Sequence, residues 1–487
     1  MKSLTMTVAL SSLAVLAGCS SAPPYKVPEM AVPPAYKGAD GIWQAAQPAD
    51  TLSRGDWWLR FGDPALNDLI ARLDKSNADV AVAVAHFDEA TALATQARAG
   101  LYPTVNAEAY TTRNRQSGSR ALRSSTQPDV YGDNALGLSA TYEIDLWGRV
   151  HDLAKAGSAG AQAAAADVES IKLSLRAELA SDYLALRVLD ARQRLLADEE
   201  KSYTEALTLT QKRFLGDIDS ALNVSRAKAQ LDTVRAKQSE NAAQRALFEH
   251  AIAALVGEAA SGFSLAPGSV QLQPPPIPVG VPATLLQRRP DIAAAERRLA
   301  EANARIGAAR AAFFPALTLA AAGGFESTYQ PSLLTAPNIF WTIGPSALLT
   351  VFDAGRRQAI VDQAQAAFAA AGAEYRGTVL RAFQEVEDNL SLINELTREA
   401  DALNDAVSDT RHALDLALNL YREGAIGYLE VVTAQTANEQ ALLDELTVRG
   451  RRLQASVGLI RALGGGWDAE RARSAFHDAE QRVSVAR

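Results

Sequence analysis

A single cysteine in 487 residues excludes an intramolecular disulfide, and five histidines at no ligand spacing offer no metal centre. No apolar run reaches 18 residues, so no ordinary transmembrane helix is expected. A net charge of −8 lacks the basic footprint that nucleic acid would require. No Gly-x-x-x-x-Gly-Lys phosphate loop and no nucleophile–base pair occur, so the reading carries no enzyme, no cofactor and no metal. Proline is missing from two long stretches, about 155–214 and 358–421, which leaves each free to run as one helix.

What is present is present twice. Ala97-Arg98-Ala99-Gly100-Leu101-Tyr102-Pro103 returns as Ala309-Arg310-Ala311-Ala312-Phe313-Phe314-Pro315, and Asp145-Leu146-Trp147-Gly148-Arg149 returns as Asp353-Ala354-Gly355-Arg356. From Gly148 and Gly355 onward the halves keep an offset of 207 residues. Before that pair the offset is 212, so one first-half loop is five residues longer. The period is far longer than a solenoid repeat of about 20–50 residues. Each half reads helix, Pro, two strands, then two long helices.

The strands show strict alternation, which gives one apolar and one wet face. Leu136, Leu138, Ala140, Tyr142, Ile144 and Leu146 oppose Gly137, Ser139, Thr141, Glu143 and Asp145. Ile339, Trp341, Ile343, Ala347, Leu349 and Val351 oppose Thr342, Gly344, Ser346 and Thr350, beside a strand carrying Leu317, Leu319, Ala321 and Phe325. A soluble sandwich face is the competing reading of this pattern. In the long stretches apolar positions recur at alternating steps of 4 and 3, including Leu175, Leu179, Leu186, Leu189, Leu196 and Tyr203, and Val386, Ile393, Leu396, Leu403, Leu414 and Tyr421. That spacing predicts coiled-coil-like packing of rods of about 90 Å.

At the N-terminus a short apolar segment ends in Leu16-Ala17-Gly18-Cys19, a secretory signal with a lipobox-like close. Cys19 is then the acylated first residue of the mature chain, against the alternative of a generic signal peptide with a chance cysteine. Ser20 rather than Asp at the next position implies sorting to the outer membrane. The division expected is signal peptide 1–18, lipidated tether 19–60, first repeat 61–260 (strands about 104–114 and 135–147), Pro-rich linker 261–282, second repeat 283–466 (strands about 315–328 and 339–352) and C-terminal tail 467–487.

Four strands cannot close in a bilayer, since the smallest transmembrane barrels have about eight and open edges are not tolerated in lipid. The fold class expected is therefore mainly α with membrane β: duplicated helix–hairpin–helix halves whose strands form a barrel shared between copies, continued by an α-helical tube.

The chain resembles the TolC-like outer membrane factors, in the lipoprotein branch of NodT- and OprM-type efflux proteins. The resemblance rests on Trp57-Trp58-Leu59-Arg60-Phe61-Gly62-Asp63-Pro64, Leu285-Leu286-Gln287-Arg288-Arg289-Pro290-Asp291-Ile292, Ile306-Gly307, Phe313-Phe314-Pro315, Asp353-Ala354-Gly355-Arg356 and Ala462-Leu463-Gly464-Gly465-Gly466-Trp467. It implies a homotrimer with a 12-stranded barrel and a periplasmic α-helical barrel. It also implies a periplasmic adaptor (membrane fusion) protein, an inner-membrane pump of the resistance-nodulation-division class, and a lipid-anchored place in the outer membrane of a Gram-negative bacterium. The activity implied is passive exit of small molecules such as drugs.

In the family, the turn after an aromatic-x-x-Gly pattern closes the periplasmic tip, with acidic or polar side chains beyond it. Tyr421-Arg422-Glu423-Gly424 matches and places Glu430 at the constricting position. The first-half copy departs from it: Phe214-Leu215-Gly216-Asp217 has Asp in place of Gly, and Asn223 is the equivalent of Glu430. The gate candidates are thus Glu430, Asn223, Tyr421 and Asp219. Glu430 reads either as one member of a cation-attracting ring or as a solvated helix residue, and Asp219 as a turn or N-cap residue. Two other functions stay open: a non-channel periplasmic coiled-coil lipoprotein scaffold, and a channel for ABC-driven protein secretion.

Overall fold

The computed structural model describes residues 20–37, 56–120, 126, 128–268, 274–275, 277 and 289–465. The signal peptide, Cys19, half of the Pro-rich linker, Gly466, Trp467 and the C-terminal tail lie outside the described residues. Seven α-helices occur among those described: α1 Pro64–Ser76, α2 Ala78–Ala99, α3 Arg149–Leu215, α4 Ala221–Leu255, α5 Pro290–Ala311, α6 Arg356–Glu423 and α7 Tyr428–Ala462. The strands are β1 Thr104–Arg115, β2 Val130–Glu143, β3 Ala316–Ser327 and β4 Ile339–Leu348. The chain divides into two compact units: Met1–Glu29, Phe87–Ala164 and Ala295–Tyr375 form the first, and Met30–His86, Ala165–Ala294 and Arg376–Arg487 form the second.

The first unit is built on one antiparallel sheet of order β1-β2-β3-β4, which leaves β1 and β4 as its edges. Register decides its character, because directly opposed residues share a face. Ala107, Leu138, Gly323 and Trp341 form one cross-strand row, and Val105, Ala140, Ala321 and Ile343 the next. Ala109, Leu136, Phe325 and Ile339 form a third. The opposite face carries rows such as Asn106, Ser139, Ala322 and Thr342. The apolar rows are uncovered: Leu138 is 59%, Ile343 63% and Trp341 76% exposed.

At the foot of the sheet the duplicated motifs pack on each other. The Trp147 ring stacks on Phe314 at 4.7 Å, and its indole N–H donates to the Pro315 carbonyl at 2.8 Å. Asp145 accepts the backbone N–H of His151 at 2.8 Å, and Asp353 does the same for Arg357 at 3.3 Å, so each Asp caps the long helix that follows. Gly148 and Gly355, at φ 74° and 88°, make the turn between that Asp and the helix.

The second unit has an apolar core in which Trp57 and Trp58 pack with Leu66, Leu69, Ile70 and Leu73 of α1, Leu179 and Leu186 of α3, Ile252 of α4 and Leu453 of α7. Tyr183 donates to Asp63, whose other oxygen caps α1 through the Ala65 N–H at 2.8 Å. Arg289 holds Asp291, Glu385 and the Ala462 carbonyl.

Several expected boundaries move. β2 begins at Val130 rather than about 135, because Val130–Asn134 pair with the far end of β1, and it ends at Glu143 rather than about 147. β4 stops at Leu348, not 352, because its partner starts at Ala316, just after Pro315, which has no N–H to give. The tether does not extend to 60: residues Trp57–Phe61 form a short 3-10 helix with both tryptophans buried.

Candidate functional site: the paired helix turns

The second unit contains both turns between long helices. α3 closes through the Ile218 N–H to the Arg213 carbonyl at 2.9 Å, and α6 through the Ala425 N–H to the Leu420 carbonyl at 2.9 Å. These are the same six-to-one closure, 207 residues apart. The left-handed position is Asp217 (φ 55°) in one and Gly424 (φ 80°) in the other.

Three of the four gate candidates meet here. The Tyr421 hydroxyl donates to Asp219 Oδ2 at 2.7 Å, and Asn223 Nδ2 donates to Asp219 Oδ1 at 2.6 Å. Asp219 is therefore the hub of a network joining the turns. The N-cap of α4 is Ser220, whose Oγ accepts from the Asn223 N–H, so the N-cap reading of Asp219 is corrected. Burial pushes the Asp219 carboxyl up, but the donors Asn223, Tyr421 and the Ser220 N–H, with the charge of Arg213, outweigh it and leave the group below the usual carboxylate range. Burial holds the Tyr421 phenol above its ordinary value, opposed by Thr210 and aided by Asp219, so it stays a donor. Glu430 stands apart, exposed on the first turn of α7. Cys19 lies outside the described residues.

Sequence reasoning missed three participants. Arg213 Nη1 donates to the Tyr421 carbonyl at 3.0 Å, its guanidinium lies 4.7 Å from the Tyr421 ring centre, and its Nε is 3.9 Å from Asp219. Thr210 Oγ1 lies 3.2 Å from the Tyr421 hydroxyl, and the Tyr428 ring packs at 5.5 Å. The only signals were a basic residue in the last turn of α3 and a Tyr at the start of α7.

Deeper in the same unit lies a second polar layer. Tyr203 donates to Glu439 Oε2 at 3.0 Å, and Lys237 donates to its other oxygen. Burial and the neighbouring Glu439 charge push Glu199 up to about 8, with Lys237 opposing. Both Glu199 oxygens are buried, and a proton on this residue would let it donate to Glu439.

The family described as outer membrane efflux protein matches residues 69–258 and 281–465. The chain is 34% identical over 463 residues to outer membrane protein OprJ of Pseudomonas aeruginosa, covering 93% of this chain and 94% of that one. It is 32% identical over 480 residues to the toluene efflux pump outer membrane protein TtgF of Pseudomonas putida, covering 96% and 98%. The open state of the MtrE outer membrane channel of Neisseria gonorrhoeae superposes with a TM-score of 0.80 at 27% identity, covering 93% and 99%.

Proposed function

The chain belongs to the outer membrane efflux protein family, and from that premise we propose that it is the passive exit duct of a tripartite pump, carrying small molecules across the outer membrane. The observation that carries this reading is the sheet: one face is apolar row after row and uncovered, and both edges are open. Lipid accepts such a face but not such edges, so copies must pair β1 to β4 in a ring. Three copies give the twelve strands of a homotrimeric barrel. The two repeats, 61–260 and 283–466, are supported by the two separate stretches of the family match.

Energy for transport comes from an inner-membrane pump of the resistance-nodulation-division class, coupled through a periplasmic adaptor; the relatives named for efflux pumps support a pump partner. Cys19 carries the acyl anchor. The Tyr421–Asp219–Asn223 network is the gate, holding the turns together at rest, and three copies of exposed Glu430 supply a ring attractive to cations. A coiled-coil scaffold has no use for an uncovered apolar sheet, and nothing in the relatives' descriptions favours protein secretion.

The test is Leu138→Asp. Purified chain should run as a trimer and conduct in a planar bilayer, while this variant, with a charge at the centre of the lipid-facing rows, should neither insert nor conduct. A wild-type protein that is monomeric and non-conducting, or a variant that conducts normally, overturns the reading.

A further inference from the structure

The start of the mature chain is seated, not loose. Ser20 Oγ shares its proton between the two carboxylate oxygens of Asp152, at 2.7 and 2.9 Å. Ser21 Oγ donates to the Trp147 carbonyl at 3.1 Å, and the Pro23 carbonyl accepts from Asn303 Nδ2 at 2.9 Å. The Tyr25 hydroxyl donates to Glu296, at both its carboxylate and, at 3.2 Å, its carbonyl. The seat is made of groups that had to be buried to make it: Asp152 is 0% and Asn303 6% exposed. A buried carboxyl group is expensive without partners, and Asp152 is matched to a hydroxyl arriving from outside, with Lys155 Nζ at 3.5 Å.

Gly307 supports the same conclusion independently. It lies inside α5, where glycine weakens a helix. A Cβ there would stand 2.1 Å from Asp152 Oδ2, 2.6 Å from Ala22 Cβ and 2.7 Å from Ala22 N. No larger residue leaves room for both the carboxylate and the incoming segment. Trp147 and Asp152 come from the first half of the duplicated sequence, and Glu296, Asn303 and Gly307 from the second, so the segment straps the two together at the foot of the sheet.

We propose that Asp152, Asn303 and Gly307 form a receptor for the chain's own processed N-terminus, so that the acyl chains on Cys19 enter the membrane at a fixed point beside the sheet. This rests on the reading of Cys19 as the lipidation site. Ser20 then has two uses: the address that sorts the protein, and the first ligand of the seat. The segment that follows Cys19 is part of the fold instead of a leash.

Hydrogen–deuterium exchange of the peptide spanning Ser20–Glu29, in full-length protein held in phospholipid vesicles, tests the seat; intact mass of the N-terminal peptide reads acylation separately. Gly307→Ser should speed exchange there by about tenfold or more, with the acyl mass unchanged. Ser20→Ala removes one hydroxyl and adds no bulk inside α5, so it serves as the control for misfolding by overcrowding at Gly307 and should speed exchange several-fold. Ser20→Thr, which keeps a donor, should restore slow exchange. Wild-type exchange in both Gly307→Ser and Ser20→Ala overturns the receptor. A wild-type N-terminus without acyl mass overturns the anchor, whatever the exchange shows.

Discussion

The two helix turns have the same backbone closure at equivalent positions, yet their aromatic residues go opposite ways. Tyr421 is 1% exposed, whereas Phe214, its counterpart, is 42% exposed. The difference is one hydroxyl and its partners: Tyr421 has Asp219, Thr210 and the Arg213 guanidinium to receive it, and those partners sit on the other repeat's turn. Duplication supplied two like turns, and divergence made one of them a ligand and the other its receptor. Phe214 has no polar tip for a reciprocal contact.

The largest test of that asymmetry is Tyr421→Ala against Phe214→Ala. Losing a fully buried aromatic costs about 3–5 kcal/mol, so the first variant should free the turns and raise open-channel probability in a planar bilayer. The second removes a largely exposed ring and should change stability by under about 1 kcal/mol. Equal effects from the two would end the distinction.

Changing pH should separate the turn from the layer behind it. Asp219 has a depressed folded pKa, so its contribution is present above the unfolded value of about 3.9 and is lost as pH falls through the folded value. Glu199 is raised to about 8, so its contribution is complete below about 4.3, declines as pH rises, and is gone once pH has passed through the folded value. Unfolding followed across pH should therefore weaken at both ends. Glu199→Gln should flatten only the decline between about pH 4.3 and about 8, and Asp219→Asn only the loss below about pH 3.9.

The smallest effect concerns the left-handed residue of each turn. Asp217→Gly should stabilise by about 0.5 kcal/mol, since glycine adopts φ 55° without the side-chain cost, and Gly424→Ala should destabilise by about 1 kcal/mol. Matched denaturant melts would read both.

Much of this was legible because periodicity is a local property. Alternation located three of the four strands, the first being placed by the helix end at Pro103, and the absence of Pro located the two long helices. The start of β2 escaped because Gly132, Asp133 and Asn134 look like loop, whereas Asn134 is buried, accepting from Thr111 Oγ1 at 2.6 Å and donating to the Ser327 carbonyl at 2.8 Å. The turn motif found Tyr421 and Asp219 singly, but no spacing encodes a contact between residues about 200 apart, so Arg213 went unseen. Asn223 was read through its counterpart Glu430, and the two do different things: one orients Asp219, the other faces solvent.

The order β1-β2-β3-β4 puts an edge from the first repeat at one side of the sheet and an edge from the second at the other. Every junction in a closed assembly of this chain is then head-to-tail, with no copy meeting another through a like surface. A subunit damaged on one side still presents a sound opposite side and can be incorporated. In the three-copy ring proposed above, drawn at random from an equal mixture, only about one ring in eight would be free of the damaged kind. Damage confined to a single edge strand would therefore spread through the population as a dominant defect.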